Sequence, residues 1–331
     1  MRPPGTQAKD PIGTELNADL TAARSGSVFS PLPHLGVLEF SGEDAEAFLQ
    51  GQLSCDVSGV GSDSSTWGAF CSPKGRMLAS FLLWRSETGF FLALPRDILQ
   101  DVQKRISRFV LRSKVKITDA SDALALHGAA GPQAAAALRD IFPALPARSN
   151  EVRREPAGGA AILLQDKRFV LAVPADRAAA LRQQIADSLK AVNWRAWHWL
   201  DIRSGIPWVT AATQDRFVPQ MANLELIGGV SFEKGCYTGQ EIVARTQHLG
   251  KVKRRMFLAN VAAACAAGDD LFSEDLGTQA SGTIVDAEIS PDGGSDVLAV
   301  VQIASRESST VHLKSLDGPA LRFLPLPYAI T

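Results

Sequence analysis

Alternating and continuous apolar stretches divide the first part of the chain into short predicted strands and helices. Between residues 35 and 95, strands are predicted in LGVLEFSG, TWGAFC, MLASFLLW and GFFLALP, the middle two being joined by a Ser-Pro-Lys-Gly turn. Apolar residues spaced by three or four predict helices in GEDAEAFLQGQLS, which begins at Ser41 or Gly42, and in RDILQDVQKRISRFVL. These segments predict one unit of mixed strands and helices.

SKVKITDA and ALALHGAA read as further strands of this first round, and an alanine-rich helix begins at Pro132. A second round of the same pattern follows, in which the strands AAILLQD and RFVLAVP precede the helix ADRAAALRQQIADSLK. Two rounds of strands and helices predict an internal duplication of α+β units over residues 28–250.

The two ends of the chain differ from the middle in their pattern of apolar and polar residues. From residue 251 onward, KVKRRMFLANV, SGTIVDAEIS, DVLAVVQIA and STVHLK are short strands separated by turn residues such as SPDGGSD. They predict a small β-barrel over 251–331, with the boundary near Gly250. Residues 1–27 contain no apolar secretion segment and few basic residues, and we expect a disordered or extended tail there.

Composition narrows the class of protein. The 331 residues are 46% hydrophobic and 21% charged, with a net charge of −1, which suits about two globular domains with a sizeable core. No apolar run approaches the roughly 18 residues of a membrane span. Four cysteines without CxxC spacing and five scattered histidines predict free thiols in a reducing cytoplasm and no preformed zinc or iron–sulfur site.

One cysteine lies in a polar turn, within EKGCYTGQEIV at 233–243. Thr238 and Glu241 match a helix capping box, and the helix is expected to run to Gly250. Cys236 is thus close to a helix N-terminus and two residues from Lys234, and both favour a thiolate. From the residues alone, a reactive or metal-touching thiol and a cysteine packed under the turn are equally supported.

The residues KGCYTGQE match the signature K-G-C-Y-x-G-Q-E over all eight positions, and this loop resembles that of the YgfZ family. FLQGQLSCDV, PKGRML, LRSKVKI and GIPWVTAATQDRFVPQMANLELIGGVSF also occur in the family's order. The resemblance covers roughly residues 30–330. Family members are folate-binding relatives of the glycine cleavage T protein that support iron–sulfur proteins.

The resemblance implies an α+β fold, in which two α+β modules form a ring around a central folate cavity and a C-terminal β-barrel completes it. It implies tetrahydrofolate as cofactor and iron–sulfur proteins as clients. The reactive loop would comprise Lys234, Cys236, Tyr237, Gly239, Gln240 and Glu241, with Lys234 keeping the thiol ionised. Folate would contact Gln52, Trp197, Arg203, Gln220 and Asn223. Core packing is the alternative for Trp197, and loop hydrogen bonds are the alternative for Gln220 and Asn223.

Three positions depart from the relatives' pattern. Ala79 and Ser80 stand where the aminomethyltransferases carry an Asp-Asp pair, and neither can replace a carboxylate in acid–base chemistry. Leu35 stands where a close relative has a second folate-binding tryptophan, and Arg203 where a glutamate is frequent. These changes argue against glycine cleavage.

Two runs of basic residues have two interpretations. They are Lys104, Arg105, Arg108, Arg112, Lys114 and Lys116, and Arg245, Lys251, Lys253, Arg254 and Arg255. A solvated face is the favoured reading, and a positive rim for a polyglutamate tail, an acidic partner or tRNA is the other. Three functions follow as hypotheses: a tetrahydrofolate-binding factor for assembly or repair of iron–sulfur clusters, a folate-dependent one-carbon transferase, and a non-catalytic scaffold that binds clients through the basic rim.

Overall fold

The computed structural model describes residues 11–155, 158–248 and 252–330. The α-helices within these ranges are α1 (Pro11–Ser25), α2 (Ala45–Gln50), α3 (Arg96–Ser107), α4 (Ala134–Leu138), α5 (Ala178–Ile185), α6 (Trp194–Arg203), α7 (Gln240–His248) and α8 (Ile303–Ser308). The strands are β1 (Val28–Pro31), β2 (Leu35–Ser41), β3 (Ser65–Cys71), β4 (Met77–Arg85), β5 (Gly89–Pro95), β6 (Lys116–Asp119), β7 (Leu124–Ala130), β8 (Val152–Arg154), β9 (Ala160–Leu163), β10 (Phe169–Pro174), β11 (Lys190–Ala191), β12 (Arg254–Val261), β13 (Asp270–Ser273), β14 (Ala280–Ile289), β15 (Ser295–Gln302), β16 (Val311–Leu313) and β17 (Leu321–Leu324). Short 3-10 helices span Gln165–Lys167, Ala175–Arg177, Pro219–Ala222, Leu224–Ile227 and Glu274–Leu276.

The first sheet has the strand order β3-β4-β5-β2-β6. Its strand β4 is buried along almost its whole length, because both faces of the sheet are covered. Phe81 and Leu83 pack in the cluster that includes residues of α2 and α3, whereas Leu82 and Trp84 point into the core shared with the second sheet. This two-sided burial explains why the sequence of β4 is a continuous apolar run.

The second sheet has the order β11-β1-β7-β10-β9-β8. In both sheets, four successive strands of the chain lie in the spatial order second, third, fourth, first: β3-β4-β5-β2 and β8-β9-β10-β7. A helix follows the first and the fourth strand in each case, α2 and α3 in one and α4 and α5 in the other. The two sheets therefore repeat one strand order, but the second unit begins at β7, earlier than the second round of apolar segments predicts.

The N-terminal segment corrects the expectation of a disordered or extended tail over residues 1–27. Residues Pro11–Ser25 form α1, and its Leu16, Leu20 and Ala23 are buried in the central core. These three residues recur at helical spacing and form one apolar stripe. The expectation is wrong for this part because the burial of a short stripe against α6 depends on tertiary contacts.

The C-terminal strands form a curled sheet with the order β16-β13-β14-β15-β12-β17. A single bridge between His312 and Ala320 joins its two ends, so the sheet is a half-barrel that begins to close. The predicted boundary at Gly250 lies outside the described residues.

Helix α6 holds the modules and the half-barrel together. Asn193 caps its N-terminus by accepting a hydrogen bond from the backbone N–H of Arg195 at 3.0 Å. The guanidinium of Arg195 forms a two-point ion pair with Glu288 on β14, and the indole N–H of Trp199 donates to Asp296 on β15 at 2.8 Å. The buried face of the same helix, with Trp197 and Ile202, packs in the central core.

None of the helices within the described ranges is long and apolar enough to cross a bilayer.

Candidate functional site

The loop that carries Cys236 is anchored by Lys234. The ammonium of Lys234 donates to the backbone carbonyls of Gln50, Leu53 and Cys55 at 2.6, 2.6 and 2.9 Å. All three of its N–H donors are used in this way. The ammonium is therefore directed to backbone carbonyls at and after the end of α2, and partial burial lowers its pKa. Its expected role of keeping the thiol of Cys236 ionised stays a prediction.

Tyr237 lies beneath this anchor. Its side chain is buried, and the ammonium of Lys234 is 5.2 Å from the centre of its ring. Burial, followed by the charges of Cys71 and Cys55, raises the pKa of the phenol. The hydroxyl is buried without a hydrogen-bond partner among the described residues. The buried ring of Tyr237 therefore packs within the loop, beside the ammonium of Lys234.

Gly239 fixes the loop to the turn between β3 and β4. Its φ is +84°, and a Cβ at this position would meet the carbonyl oxygen of Ser72 at 2.4 Å. On the opposite side, a Cβ at Gly75 would meet the side chain of Ile242 at 2.8 Å and the carbonyl of Gly239 at 3.1 Å. Two glycines are therefore required for the PKGRML turn and the KGCYTGQE loop to touch.

The helix after the loop starts later than the sequence suggests. It begins at Gln240, so that Gly239 rather than Thr238 precedes it, and the predicted capping box of Thr238 and Glu241 is displaced. The backbone N–H of Gln240 donates to the carbonyl of Tyr237 at 3.1 Å. Gln240 is half-buried and Glu241 is exposed on the first turn. The positive φ of Gly239 is the reason for the shift, because it turns the chain just before the helix.

Cys236 is exposed, whereas Cys55 and Cys71 are buried. Burial raises the pKa of each of those two thiols to about 12, so neither reacts as a thiolate at neutral pH. A Cβ placed on Gly235 would meet no atom within 4 Å. The structure thus presents the thiol of Cys236 on an anchored loop with open space beside it.

Three amide side chains, Gln52, Gln220 and Asn223, are expected to bind folate. The Nε2 of Gln220 donates to the carbonyl of Val243 on α7 at 2.7 Å, and the Nδ2 of Asn223 donates to the carbonyl of Met256 on β12 at 2.8 Å. Gln52 lies in the segment held by Lys234. The carbonyl oxygens of all three side chains are buried without a hydrogen-bond partner among the described residues. Gln220 and Asn223 therefore tether loops, the alternative considered from the sequence.

Trp197 is fully buried in the central core. Its indole packs so closely on β7 that a Cβ at Gly128 would lie 2.2 Å from it, and the guanidinium of Arg168 lies 5.2 Å from the ring centre. Leu35 is likewise buried. The ring is thus packed by protein, as in the alternative considered from the sequence.

The side chain of Arg203 lies between α6 and the C-terminal half-barrel. Its guanidinium is 3.7 Å from the carboxylate of Asp296 on β15 and 5.8 Å from the ring centre of Trp199. It therefore joins α6 to the C-terminal half-barrel. Its expected contact with folate stays a prediction.

A small cavity lies where the two sheets, the end of α6 and a 3-10 helix meet. Its lining includes Trp67, Asn150, Gln165, Ser204 and Ile227, together with Arg168. The volume is about 20 Å³, enough for roughly one water molecule.

Arg168, which sequence reasoning missed, is the charged group of this cavity. Its side chain is 3% exposed, and its Nη1 donates to Asp201 at 2.5 Å. Asp201 also accepts from the indole N–H of Trp208 at 2.9 Å. The Nε and Nη2 of Arg168 have no hydrogen-bond partner within the described ranges. An arginine between a turn and a strand gives no sign of such burial in the sequence.

The positions that replace the Asp-Asp pair are used for packing. Ala79 and Ser80 are both buried, and the hydroxyl of Ser80 donates to the carbonyl of Pro207 at 2.6 Å. The same oxygen accepts from the backbone N–H of Val209 at 2.9 Å. Ser80 is therefore a structural bridge.

The basic runs form a smaller surface than the sequence suggests. Arg255 is buried and forms an ion pair with Glu225, and it also donates to the carbonyl of Gln220 at 2.8 Å. Arg105 pairs with Asp101, and Lys114 pairs with Glu43. Arg245 and Lys253 are exposed. Arg255 thus does not belong to a positive rim.

The described residues contain no group of three or more His, Cys, Asp or Glu side chains that could hold a metal ion.

Comparison with known proteins identifies the fold of this chain. The family model of the GCVT N-terminal domain matches residues 7–153. The crystal structure of glycine cleavage system aminomethyltransferase T from Bartonella henselae is similar, with a TM-score of 0.79 over 94% of this chain and 89% of that chain, at 19% identity. At this identity the likeness shows the fold, which is that of the glycine cleavage T protein.

Two curated relatives identify the family. Both are named tRNA-modifying protein YgfZ, one from Escherichia coli O127:H6 (strain E2348/69 / EPEC) and one from Escherichia coli O45:K1 (strain S88 / ExPEC). Each is 33% identical over 316 residues, which are 93% of this chain and 95% of the relative. The chain belongs to the YgfZ family, and the prediction made from its loop is confirmed.

Proposed function

We propose that the protein binds tetrahydrofolate and supports assembly or repair of iron–sulfur clusters in client proteins through Cys236. The protein works in the reducing cytoplasm, where free thiols persist. The clusters are cargo of the clients. The name of the relatives suggests that some of these clients act in tRNA modification.

The observation that carries the proposal is the construction of the signature loop. Lys234, Tyr237 and Gly239 all serve to hold the loop on the two segments beneath it, and the thiol they hold is exposed. A packed structural cysteine would be buried, as Cys55 and Cys71 are. Thiolates are the form of cysteine that attacks electrophiles and binds metals, so an exposed thiol on a rigid loop suits transient contact with a client.

Support for folate comes from the match to the GCVT N-terminal domain and from the glycine cleavage T-protein fold. The small cavity at Arg168 does not fit a pterin ring, because its volume of about 20 Å³ is enough for roughly one water molecule. Bound tetrahydrofolate would supply one-carbon or reducing chemistry. The residues of this chain would bind it, orient it and keep it from water.

A one-carbon transferase of the aminomethyltransferase kind has less support. Such a reaction needs an ionisable group near the folate nitrogens, and the matching positions are a buried alanine and a serine engaged by backbone groups. The scaffold hypothesis loses one of its basic residues, because Arg255 is buried in an ion pair.

Complementation tests the role of the thiol. In a strain that lacks its own family member, we expect Cys236→Ala to leave the activity of iron–sulfur enzymes at the level of the deletion. Cys265→Ala is the matched control, because Cys265 is half-buried in another part of the molecule and should restore activity fully. Full restoration by Cys236→Ala, at equal protein level, would remove the thiol from the function.

A further inference from the structure

We propose that client proteins dock on a surface at the turn after α3, and that this surface takes an acidic segment of the client that carries a large apolar side chain. The surface consists of Arg108, Phe109, Leu111 and Arg112, and we call it the tip surface. This inference rests on the proposed function and deepens it, because it assigns the place where a client is held while Cys236 acts.

Two large apolar side chains of the tip surface are exposed. Phe109 is 43% exposed and Leu111 is 89% exposed, whereas Val110 between them packs against the cluster that includes residues of α2 and α3. Three other large hydrophobic side chains are exposed within the described ranges, each in a separate part of the chain: Ile242, Leu316 and Ile330. Single exposed hydrophobic residues are ordinary on protein surfaces, but neighbouring ones mark a site of interaction.

The backbone of Leu111 is strained without benefit to the fold. Its φ is +42°, a conformation that is unfavourable for a bulky side chain. Since the side chain is almost fully exposed, its burial does not offset the strain. Asparagine or glycine would adopt the same conformation more easily. A strained leucine that the fold does not use points to a contact outside this chain.

Hydrogen bonds hold the turn in a fixed shape. The backbone N–H of Ser113 donates to the carbonyl of Val110 at 2.7 Å. Just beyond the turn, the backbone N–H of Lys114 donates to the carboxylate of Asp44 at 2.7 Å. The tip surface is therefore ordered before a partner binds, and association costs less conformational entropy.

The charge around the tip surface is positive. Segment 104–116 contains six basic residues and no acidic one. Two of the six form ion pairs, with Asp101 and Glu43, and a third, Lys104, lies in the last turn of α3, where the helix dipole favours a cation. The remaining three are exposed and form no ion pair with a described residue: Arg108, Arg112 and Lys116. These uncompensated charges favour an acidic partner.

A groove beside the turn indicates which kind of acidic partner fits. An open depression of about 680 Å³ is lined by Asp44, Phe109, Leu111, Arg112 and Ser113. An apolar side chain of a protein fills such a concave surface, while acidic neighbours of that side chain pair with the arginines. The surface of a bilayer would leave the depression empty. RNA would bring phosphates close to Asp44 and could not stack a base on Leu111.

The short helix α2 connects the tip surface with the signature loop. Asp44 precedes α2 and holds the segment after the turn, and Lys234 of the signature loop donates to the carbonyl of Gln50, the last residue of α2. The six residues of this helix span about 9 Å. A standard protein interface covers roughly 800 Å² on each partner. One client can therefore contact both the tip surface and the loop that carries Cys236.

Fluorescence anisotropy of labelled peptides tests the proposal. The first probe is a short peptide that repeats Glu-Glu-Leu-Phe, and the second has serine in place of its leucines and phenylalanines. We expect the wild-type protein to bind the first peptide about tenfold more tightly than the second, because burial of apolar side chains adds to the attraction of charges. Leu111→Asn should abolish this preference, since asparagine adopts the same backbone conformation without an apolar side chain. Its stability in urea should be unchanged or higher.

Leu316→Asn is the matched control. Leu316 is a 39% exposed leucine that lies between β16 and β17, outside the tip surface. The same substitution there should leave the affinity for both peptides unchanged. Arg112→Glu, in contrast, should weaken binding of both acidic peptides about tenfold, because it reverses a charge at the groove.

Two further probes, a single-stranded RNA and phosphatidylglycerol vesicles, examine the other possible occupants. Binding of either probe that is lost on Leu111→Asn, without binding of the first peptide, would overturn the acidic client segment as the occupant. Equal wild-type affinity for the two peptides, or a preference that persists in Leu111→Asn, would overturn the tip surface as the docking site.

Complementation of the deletion strain separates this inference from the proposed function. We expect Leu111→Asn to lower the activity of iron–sulfur enzymes at equal protein level, and Leu316→Asn to restore it fully. Full restoration by Leu111→Asn where Cys236→Ala fails would overturn the docking surface and leave the proposed function intact. Full restoration by Cys236→Ala would instead remove the proposed role of the thiol and this inference with it.

Discussion

At the scale of single residues, the contacts of Lys234 in the structure differ from those that its position in the sequence suggests. Lys234 is two residues from Cys236, and this proximity suggested an electrostatic partner for the thiol. In the structure its ammonium donates hydrogen bonds to three backbone carbonyls, those of Gln50, Leu53 and Cys55. The exposed state of Cys236 and the anchoring of its loop are thus separate features, provided by different residues.

The two glycines of the loop provide a prediction with an internal control. Gly239→Ala should lower the free energy of unfolding by about 1–3 kcal/mol, because alanine is strained at φ +84° and its Cβ would clash with the backbone oxygen of Ser72. Gly235→Ala should leave stability unchanged, since nothing lies within 4 Å of the added Cβ. Urea denaturation of both variants measures the difference. Equal stability of the two would contradict the docking of Gly239 on the β3–β4 turn.

At the scale of elements, the five strands of the first sheet were predicted, whereas β1, β8 and β11 of the second sheet and the N-terminal helix were missed. The continuous run MLASFLLW and the alternating LGVLEFS carry their periodicity in the sequence itself, because each is covered by its own module. Helix α1 has only a narrow apolar stripe, and the surface that covers it comes from α6, far along the chain. No local pattern specifies that contact.

Helix α1 should therefore contribute measurably to stability. Leu20 is completely buried in the central core, and Leu20→Ala should destabilise the protein by about 2–5 kcal/mol through lost burial and the cavity left behind. Glu15→Ala, on the exposed face of the same helix, should change stability by less than about 0.5 kcal/mol. Thermal and chemical unfolding distinguish the two, and a silent Leu20→Ala variant would mean that α1 detaches readily in solution.

At the scale of the whole molecule, the interface between α6 and the C-terminal half-barrel contains a buried charged pair. The Nε2 of His198 is 3.0 Å from the carboxylate of Asp286 on β14. Burial alone would lower the pKa of His198, but Asp286, with Asp201 and Glu288, outweighs it and raises the pKa to about 9. The neighbouring His34, stacked on Trp194, has its pKa lowered to about 3 by burial and by His198. His198 is therefore charged and His34 neutral at physiological pH.

This pair predicts a specific pH dependence of stability. The folded-state pKa of His198 lies above its ordinary value of 6.5, so its stabilisation is fully present below pH 6.5 and is lost as the pH rises through about 9. The stability advantage of the wild type over His198→Gln, measured by urea denaturation, should shrink across this window. His312→Gln, at a histidine bonded to the carbonyl of Gly318 within the half-barrel, is the control. An advantage that is constant with pH would contradict the charged pair.

The sequence by itself determined the family, the α+β class, the repeated units and the β-rich C-terminal part. These depend on periodicity and on a contiguous eight-residue loop, which are local properties. Tertiary structure alone decided that Lys234 anchors the loop, that Trp197, Arg203 and Arg255 are engaged by protein partners, and that Arg168 is buried in an ion pair with Asp201. The physical reason is that burial and charge pairing are set by residues distant in the chain, and no local pattern records which of them will meet.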